Sequence, residues 1–539
     1  MKRKHRLFAV VTALMMSLAL VLNGCGSTSG KKRDTEKPKT PAATSEPKKT
    51  DPKDGGVPEN GCAISFPDGK RYHYDMDLRL DPEARTVGGH VAFRFFNDSE
   101  DGWDRLCMRD YPSLFANGTD AGYRAGRVTD GAMTEITGVT DSRGGEIRIQ
   151  RDKDVSVLWL PLSEPLEPGE EMTLEYDFTA TIPTLDDRFG VANGIFCATN
   201  FYPILAEYVD GGWSHEAFIN IGECFYSEIA DYDVKLTVPD GFAALATGTE
   251  AGSDSRDGFT TCTFTAPCVR DFVFTASDRF AVEDAAYNGV HVNVAYNAEN
   301  PPASDMEPFV DAALATAEQS LAAFGDAFGM YPYDELDIVF TPMSDDAGGM
   351  EYPNLILIAE ACCREEEGED ASSISLDDLQ TCVAHEIGHQ WFMGIVGSNS
   401  ATEPWLDESI TSYTELVYLE YGDDSSALRR AARYHSSSNV DLTDPDIAAQ
   451  LRKEDIFPIN RAYSEFSDYV IPIYGVGDIV LYQMEEILGR EEFHAILREY
   501  VHRNAFTNAD TQDFFDVLYD VAGRDNEELN TLIAHAFDL

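Results

Sequence analysis

His385, Glu386 and His389 give this chain its clearest capacity for chemistry. Four residues make about one helical turn, so in a helix both imidazoles stand on one face and can grip a single cation, with the Glu386 carboxylate beside them. The surrounding residues predict that helix over 375–396. Ser375 is a suitable N-cap with Asp378 as its capping-box partner, and Leu376, Leu379, Val383 and Ile387 recur at helical spacing. The His-Glu-x-x-His arrangement is a zinc pattern, and a catalytic zinc commonly takes three protein ligands and keeps a fourth position for water. Glu408, with eighteen residues between it and His389, offers a third ligand at the start of an amphipathic segment that runs to about Tyr421. A returning helix would bring it opposite the imidazoles. Glu415, seven residues further on, shares that helical face; it either accepts the second N–H of a bound imidazole or is an ordinary exposed glutamate.

Together with its neighbours this constellation resembles one family. The run His-Glu-Ile-Gly-His-Gln-Trp at 385–391, followed by Trp-Leu-Asp-Glu-Ser at 405–409, is similar to the gluzincin peptidases of the M1 aminopeptidase family. Gly348, Gly349, Met350, Glu351 and Tyr352 resemble that family's Gly-x-Met-Glu-Asn strand, with Tyr352 in place of the usual Asn. The resemblance implies that Glu351 binds the free α-amino group of a peptide and makes the enzyme an exopeptidase. It also implies that the main chain at Gly348, Gly349 and Met350 pairs with the substrate as an added strand. The tyrosine leaves that role of Glu351 in place and alters the shape of the amine site. Tyr474 with Gly477 resembles the family's Tyr-x-x-Gly segment, whose phenol steadies the oxyanion, and Tyr469 is the nearby competitor. The family usually carries a carboxylate at the place of Glu415 as well.

The resemblance spans nearly all of residues 62–539. It implies an α+β multidomain chain, with an N-terminal β-rich, saddle-like sandwich domain over 61–280 and a thermolysin-like α/β catalytic domain over 281–539. It further implies one Zn2+ per chain on His385, His389 and Glu408, Glu386 as the catalytic base, Tyr474 on the oxyanion, and peptides with a free N-terminus as substrates. Many relatives continue into a large helical C-terminal domain, whereas some 65 residues follow Tyr474 here, so a more open site or closure by a partner is expected. Two other readings fit the same residues: a binding lipoprotein that keeps a zinc scaffold without turnover, and a zinc endopeptidase or epoxide hydrolase.

Periodicity places these residues in the chain. From 62 to about 277, short alternating segments broken by turn residues predict a β-rich region, for example 72–80 and 87–97 with Asp81 and Pro82 between them. Further strands are expected at 155–160, 172–182, 232–238 and 272–275. Beyond Pro302 the pattern changes to a long Ala-rich amphipathic helix over 306–328, then strands at 336–340 and 355–358, then mostly helices including 479–488. A domain boundary is expected near 278–300.

The N-terminus addresses the chain. Four basic side chains among the first six residues precede an apolar run over 7–22, too short for a comfortable membrane span, which predicts a secretory signal over 1–24. Leu22, Asn23, Gly24 and Cys25 resemble a bacterial lipoprotein signal, which implies lipidation of Cys25 and an extracytoplasmic, membrane-anchored protein. Residues 25–60 are Lys, Pro, Thr, Ser and Asp with almost no apolar side chain, the composition of a disordered tether. A formal net charge of -54 argues against nucleic acid as a partner. The nine cysteines beyond Cys25 are an odd number and show no zinc-ribbon clusters; Cys262 and Cys268 are read either as a bridge between neighbouring strands or as small buried apolar residues. Protein partners are not legible.

Overall fold

The computed structural model describes residues 63–116, 133–219, 221–222, 225–299, 303–343, 348–363, 376–421 and 440–539. The signal over 1–24, Cys25, the tether over 25–60 and the Ser375 cap lie outside the described residues.

Strict alternation builds the first half. In strand β1 (Tyr72–Asp81) the residues Tyr72, Tyr74, Met76, Leu78 and Leu80 are buried, while Asp75, Asp77 and Arg79 face solvent. It lies inside a seven-stranded sheet with β2 (Thr86–Phe96), β3 (Thr134–Asp141), β4 (Glu171–Thr181), β5 (Ala230–Pro239), β6 (Thr249–Arg256) and β7 (Phe259–Val269), in the order β6-β7-β5-β1-β2-β4-β3. Register aligns the aromatics across three strands: Tyr74 is opposite both Phe93 and Tyr232, and its ring stacks on theirs at centroid distances of 4.0 and 4.9 Å. Two four-stranded sheets, one of them containing the strand Phe274–Ser277, and a two-stranded sheet of Tyr208–Val209 and Gly212–Trp213 also belong to this β-rich half. Cys262 and Cys268 both lie on β7 as buried free thiols, so they do not bridge neighbouring strands.

The next strand joins a different sheet. Strands β8 (Phe280–Tyr287), β9 (Val290–Asn297), β10 (Glu335–Thr341), β11 (Gly349–Met350) and β12 (Leu355–Ala359) form a five-stranded sheet in the order β8-β9-β10-β12-β11. Its central strands β9, β10 and β12 are parallel, and β10 and β12 are buried almost throughout, as expected where both faces are covered. The short β11 runs antiparallel at the edge. Helices dominate the rest, starting with α1 (Ala303–Phe328), α2 (Leu376–Gly388) and α3 (Ile410–Tyr421). The chain thus combines a β-rich N-terminal part with an α/β part, as its pattern of elements predicts.

One expectation fails. The helix predicted over 375–396 ends at Gly388, because tertiary bonds capture the residues after it. Gln390 N–H and Trp391 N–H turn back tightly to the carbonyls of Ile387 and Gly388 at 3.1 and 3.0 Å. The Trp391 indole then donates to the Gly329 carbonyl at 2.9 Å, deep in the core.

Candidate active site

The last turn of α2 carries His385 and Glu386, and the tight turn after it carries His389. Their Nε2 atoms lie 3.2 Å apart, and Glu408 Oε2 lies 3.3 Å from each. What aims the rings is behind them. His385 Nδ1 stands 3.0 Å from Glu415 Oε1, in α3. His389 Nδ1 faces Asp407 Oδ1 at 2.8 Å, Thr411 Oγ1 at 3.1 Å and the Phe392 carbonyl at 3.3 Å. Acceptors behind both Nδ1 atoms place the ring protons there, so both Nε2 lone pairs point into the same space as the Glu408 carboxylate.

Two lone pairs and an anion so close together call for a positive charge between them. Burial pulls the His385 imidazole down, yet its hydrogen bonds with Glu408 and Glu415 outweigh this and hold it up at about 10. Burial pushes Glu408 up, and His389 and His385 outweigh that and hold it below the usual carboxylate range. The donors fit zinc. Atoms bonded at 2.0–2.1 Å to a tetrahedral zinc lie roughly 3.3–3.4 Å from one another, close to the spacings seen here, and two imidazoles plus one carboxylate are a familiar three-ligand catalytic set.

Glu386 is buried beside these ligands and touches the edge strand β11: a Cβ on Gly349 would lie 2.4 Å from Glu386 Oε1. Only a glycine lets the strand and the carboxylate approach so closely. β11 pairs with β12 through Gly349–Ile358 and Met350–Leu357, and as the last strand of its sheet it turns its other edge away from any described strand. Glu351 follows at once. It is 2% exposed, and its carboxylate lies within 4.8 Å of ligand atoms of His389 and Asp407. The Gln390 side chain fastens this segment to the zinc turn, donating to the Tyr352 carbonyl at 3.1 Å and accepting from Asn354 N–H at 2.9 Å. Tyr352, the departure from the family pattern, is buried with its hydroxyl 3.4 Å from Asn200 Oδ1 of the β-rich half.

Glu408 and Tyr474 sit in two π-helical turns that face each other, Trp405–Ser409 and Ile471–Val476. Such turns are rare and concentrate at functional sites. The Ser409 hydroxyl donates to the Ile473 carbonyl at 2.7 Å, and a Cβ on Gly477, which opens helix α4 (Gly477–Leu488), would lie 2.0 Å from Ser409 Oγ. That contact accounts for the glycine of the Tyr-x-x-Gly segment. The Tyr474 ring lies 6.2 Å from that of His385, beside Glu408 and Tyr469. Burial and these neighbours push its pKa well above the usual value, so it keeps its proton. Tyr469, the competing tyrosine, packs edge-on behind it at 5.6 Å and against Gly222.

The structure therefore brings His385, His389, Glu408, Glu415, Glu386, Glu351 and Tyr474 into one cluster, with Gly348, Gly349 and Met350 along its side. Asp407 and Gln390 belong to it too and were not singled out from sequence. Their signal was adjacency, each standing next to a ligand.

A β-rich half is thus joined to an α/β half in which two imidazoles and a carboxylate converge beside an edge strand. Residues 312–535 match the Peptidase family M1 domain. Aminopeptidase M1-B of Oryza sativa subsp. japonica is 29% identical over 225 residues, covering 41% of this chain and 24% of that one. Tricorn protease-interacting factor F2 of Thermoplasma acidophilum is 25% identical over 226 residues, covering 39% of this chain and 26% of that one. The matched stretch thus spans about a quarter of the length of these curated relatives. The M1 zinc metallopeptidase from Deinococcus radiodurans superposes with a TM-score of 0.58 at 18% identity, covering 89% of this chain and 95% of that one. A mutant of that enzyme bound to a Tyr-Ser-Ala substrate gives 0.60 at 20% identity, over 89% and 95%. Over residues 312–535 the chain is similar to peptidase family M1.

Proposed function

We propose that this protein is a zinc-dependent aminopeptidase that removes N-terminal residues from peptides outside the cell, held at the membrane through Cys25. One observation carries the catalytic reading: three ligand atoms from α2, the turn after it and a π-helical turn meet within 3.3 Å of one another, beside a buried glutamate and an open strand edge.

His385, His389 and Glu408 would hold the ion, which when bound supplies Lewis acidity toward a peptide carbonyl and makes water more acidic. Glu386 takes a proton from water and later returns it to the leaving amine, a general-base and general-acid role that its place beside the ligands allows. Tyr474 keeps its proton and donates a hydrogen bond to the oxygen that gains charge as the carbonyl becomes tetrahedral, an interaction strongest in the transition state. The free edge of β11 pairs with the substrate main chain, and Glu351 takes the α-ammonium group, so the register is counted from the N-terminus. The tripeptide on the like-folded Deinococcus enzyme supports peptides as the substrate class.

The anchoring reading rests on the basic leader, the apolar run and the Leu-Asn-Gly-Cys sequence ending at Cys25. Aminoacyl-coumarin substrates and matched free and N-acetylated peptides, digested with and without a chelator, test the activity. Release of free N-terminal residues that stops on chelation is expected. Equal cleavage of acetylated peptides would make the enzyme an endopeptidase, and metal binding without hydrolysis would leave a binding lipoprotein. Cys25→Ala should move the protein from the membrane fraction to the medium; retention at the membrane would overturn the anchor.

A further inference from the structure

Cys362 and Cys382 lie on elements that flank the site, and this mechanism leaves them unused. Cys362 lies in the short turn Glu360–Cys363 directly after β12, and Cys382 lies in α2 three residues before His385. Both are free thiols, Cys362 buried and Cys382 half-buried. They meet at one residue. The Cys362 thiol points at the Gly348 carbonyl, 3.7 Å away, and the Cys382 sulfur is 3.2 Å from where a Cβ on Gly348 would sit. Each thiol is also the strongest influence on the other's ionisation. No side chain of residue 348 stands between them. The Gly348 carbonyl accepts from Ala359 N–H at 2.9 Å as well, and the next residue, Gly349, is the one pressed against Glu386. The pair therefore spans the joint between the edge strand and the zinc helix.

We propose that Cys362 and Cys382 form a redox-sensitive dithiol, whose oxidation to a disulfide clamps the turn after β12 to the zinc helix and displaces the Gly348–Gly349 strand from its substrate-pairing position. The oxidant is a small-molecule disulfide. One cysteine thiolate attacks it, forming a mixed disulfide and expelling one thiol; the second cysteine thiolate attacks the protein sulfur of that mixed disulfide and expels the other thiol. Two protein thiols are oxidised, one external disulfide is reduced, and the two protons pass to the released thiolates. Forming the bond removes the Cys362 S–H donor from the Gly348 carbonyl and draws two elements together on either side of that residue. The effect on activity rests on the aminopeptidase reading, whereas formation of the bond does not.

The test uses the zinc-loaded protein, incubated with oxidised glutathione and then with a phosphine reductant. Peptide mapping should find Cys362 joined to Cys382, zinc content should stay unchanged, and hydrolysis should fall at least five-fold, mainly through a higher KM, and recover on reduction. Cys362→Ser and Cys382→Ser should be active and insensitive to the oxidant. If both thiols remain open to alkylation or each ends as a separate glutathione adduct, the dithiol is overturned. Linked peptides with unchanged hydrolysis would overturn the regulation. A preparation that forms the link yet hydrolyses no peptide in either state would overturn the aminopeptidase reading and the regulation that rests on it, while upholding the pair.

Discussion

Each imidazole of the pair faces the other because a carboxylate stands behind it. Glu415 lies 3.0 Å from His385 Nδ1, and Asp407 lies 2.8 Å from His389 Nδ1 beside Thr411; without such neighbours either ring can flip or take the other tautomer. Glu415→Gln and Asp407→Asn should each weaken zinc binding by roughly 10- to 100-fold, read by competition with a chromophoric chelator; unchanged affinity would reduce these residues to bystanders. Glu386→Gln should retain zinc and lose turnover, and retained hydrolysis would remove Glu386 from its assigned proton transfer. The ligands themselves were legible in sequence, because His385, His389 and Glu408 are constrained by helical period and by spacing. Asp407 was not. On a plain α-helix it would sit about 100° around from Glu408, whereas the π-helical turn at Trp405–Ser409 brings both carboxylates to His389.

The site depends on two elements meeting at van der Waals distance, the turns that carry Glu408 and Tyr474. Gly477 and Ser409 set that distance, so Gly477→Ala should force the turns apart, cost about 1–3 kcal/mol of stability and lower kcat more than it raises KM, as Tyr474 retreats from the reacting carbonyl. Because the added methyl would also meet Ser409 Cβ, at 2.5 Å, Ser409→Gly should relieve part of the loss in a double-mutant cycle. Strictly additive effects in urea unfolding would show that the two turns are not coupled there. At this scale the sequence was readable where burial repeats with a period. The alternating strands at Tyr72–Asp81 and Thr86–Phe96 and the long helix Ala303–Phe328 follow from that pattern. The end of α2 did not, because the turn at Gly388 is made by bonds from Gln390 and Trp391 to Tyr352, Asn354 and Gly329, residues remote in the chain. A π-helical turn differs from an α-turn in which carbonyl each N–H reaches, and residue types hardly report that.

The β-rich half and the α/β half meet at a buried arginine that also reaches the turn of His389. Arg270, at the end of the seven-stranded sheet, donates to the Met393 carbonyl at 2.7 Å, four residues past His389, and to the Thr507 carbonyl at 2.6 Å. It also donates to Asn508 and to the Ser227 carbonyl, and Glu207 bonds Asn508 in turn. Burial pulls the Arg270 pKa down, and the nearby Glu207 and Glu228 carboxylates act against that. Replacing it with methionine keeps much of the volume but strips donors from buried carbonyls, a change expected to cost about 1–3 kcal/mol. The loss should reach the metal as well, because the Met393 carbonyl is one of the bonds that hold the turn of His389 in place. Zinc at a thousand times its Kd adds about 4 kcal/mol to a protein that binds it only when folded. In Arg270→Met the rise in unfolding midpoint on adding a fixed zinc concentration should therefore be smaller than in the parent protein. An equal rise in both, measured by calorimetry with zinc and with chelator, would mean that the junction between the halves stabilises the chain without holding the site.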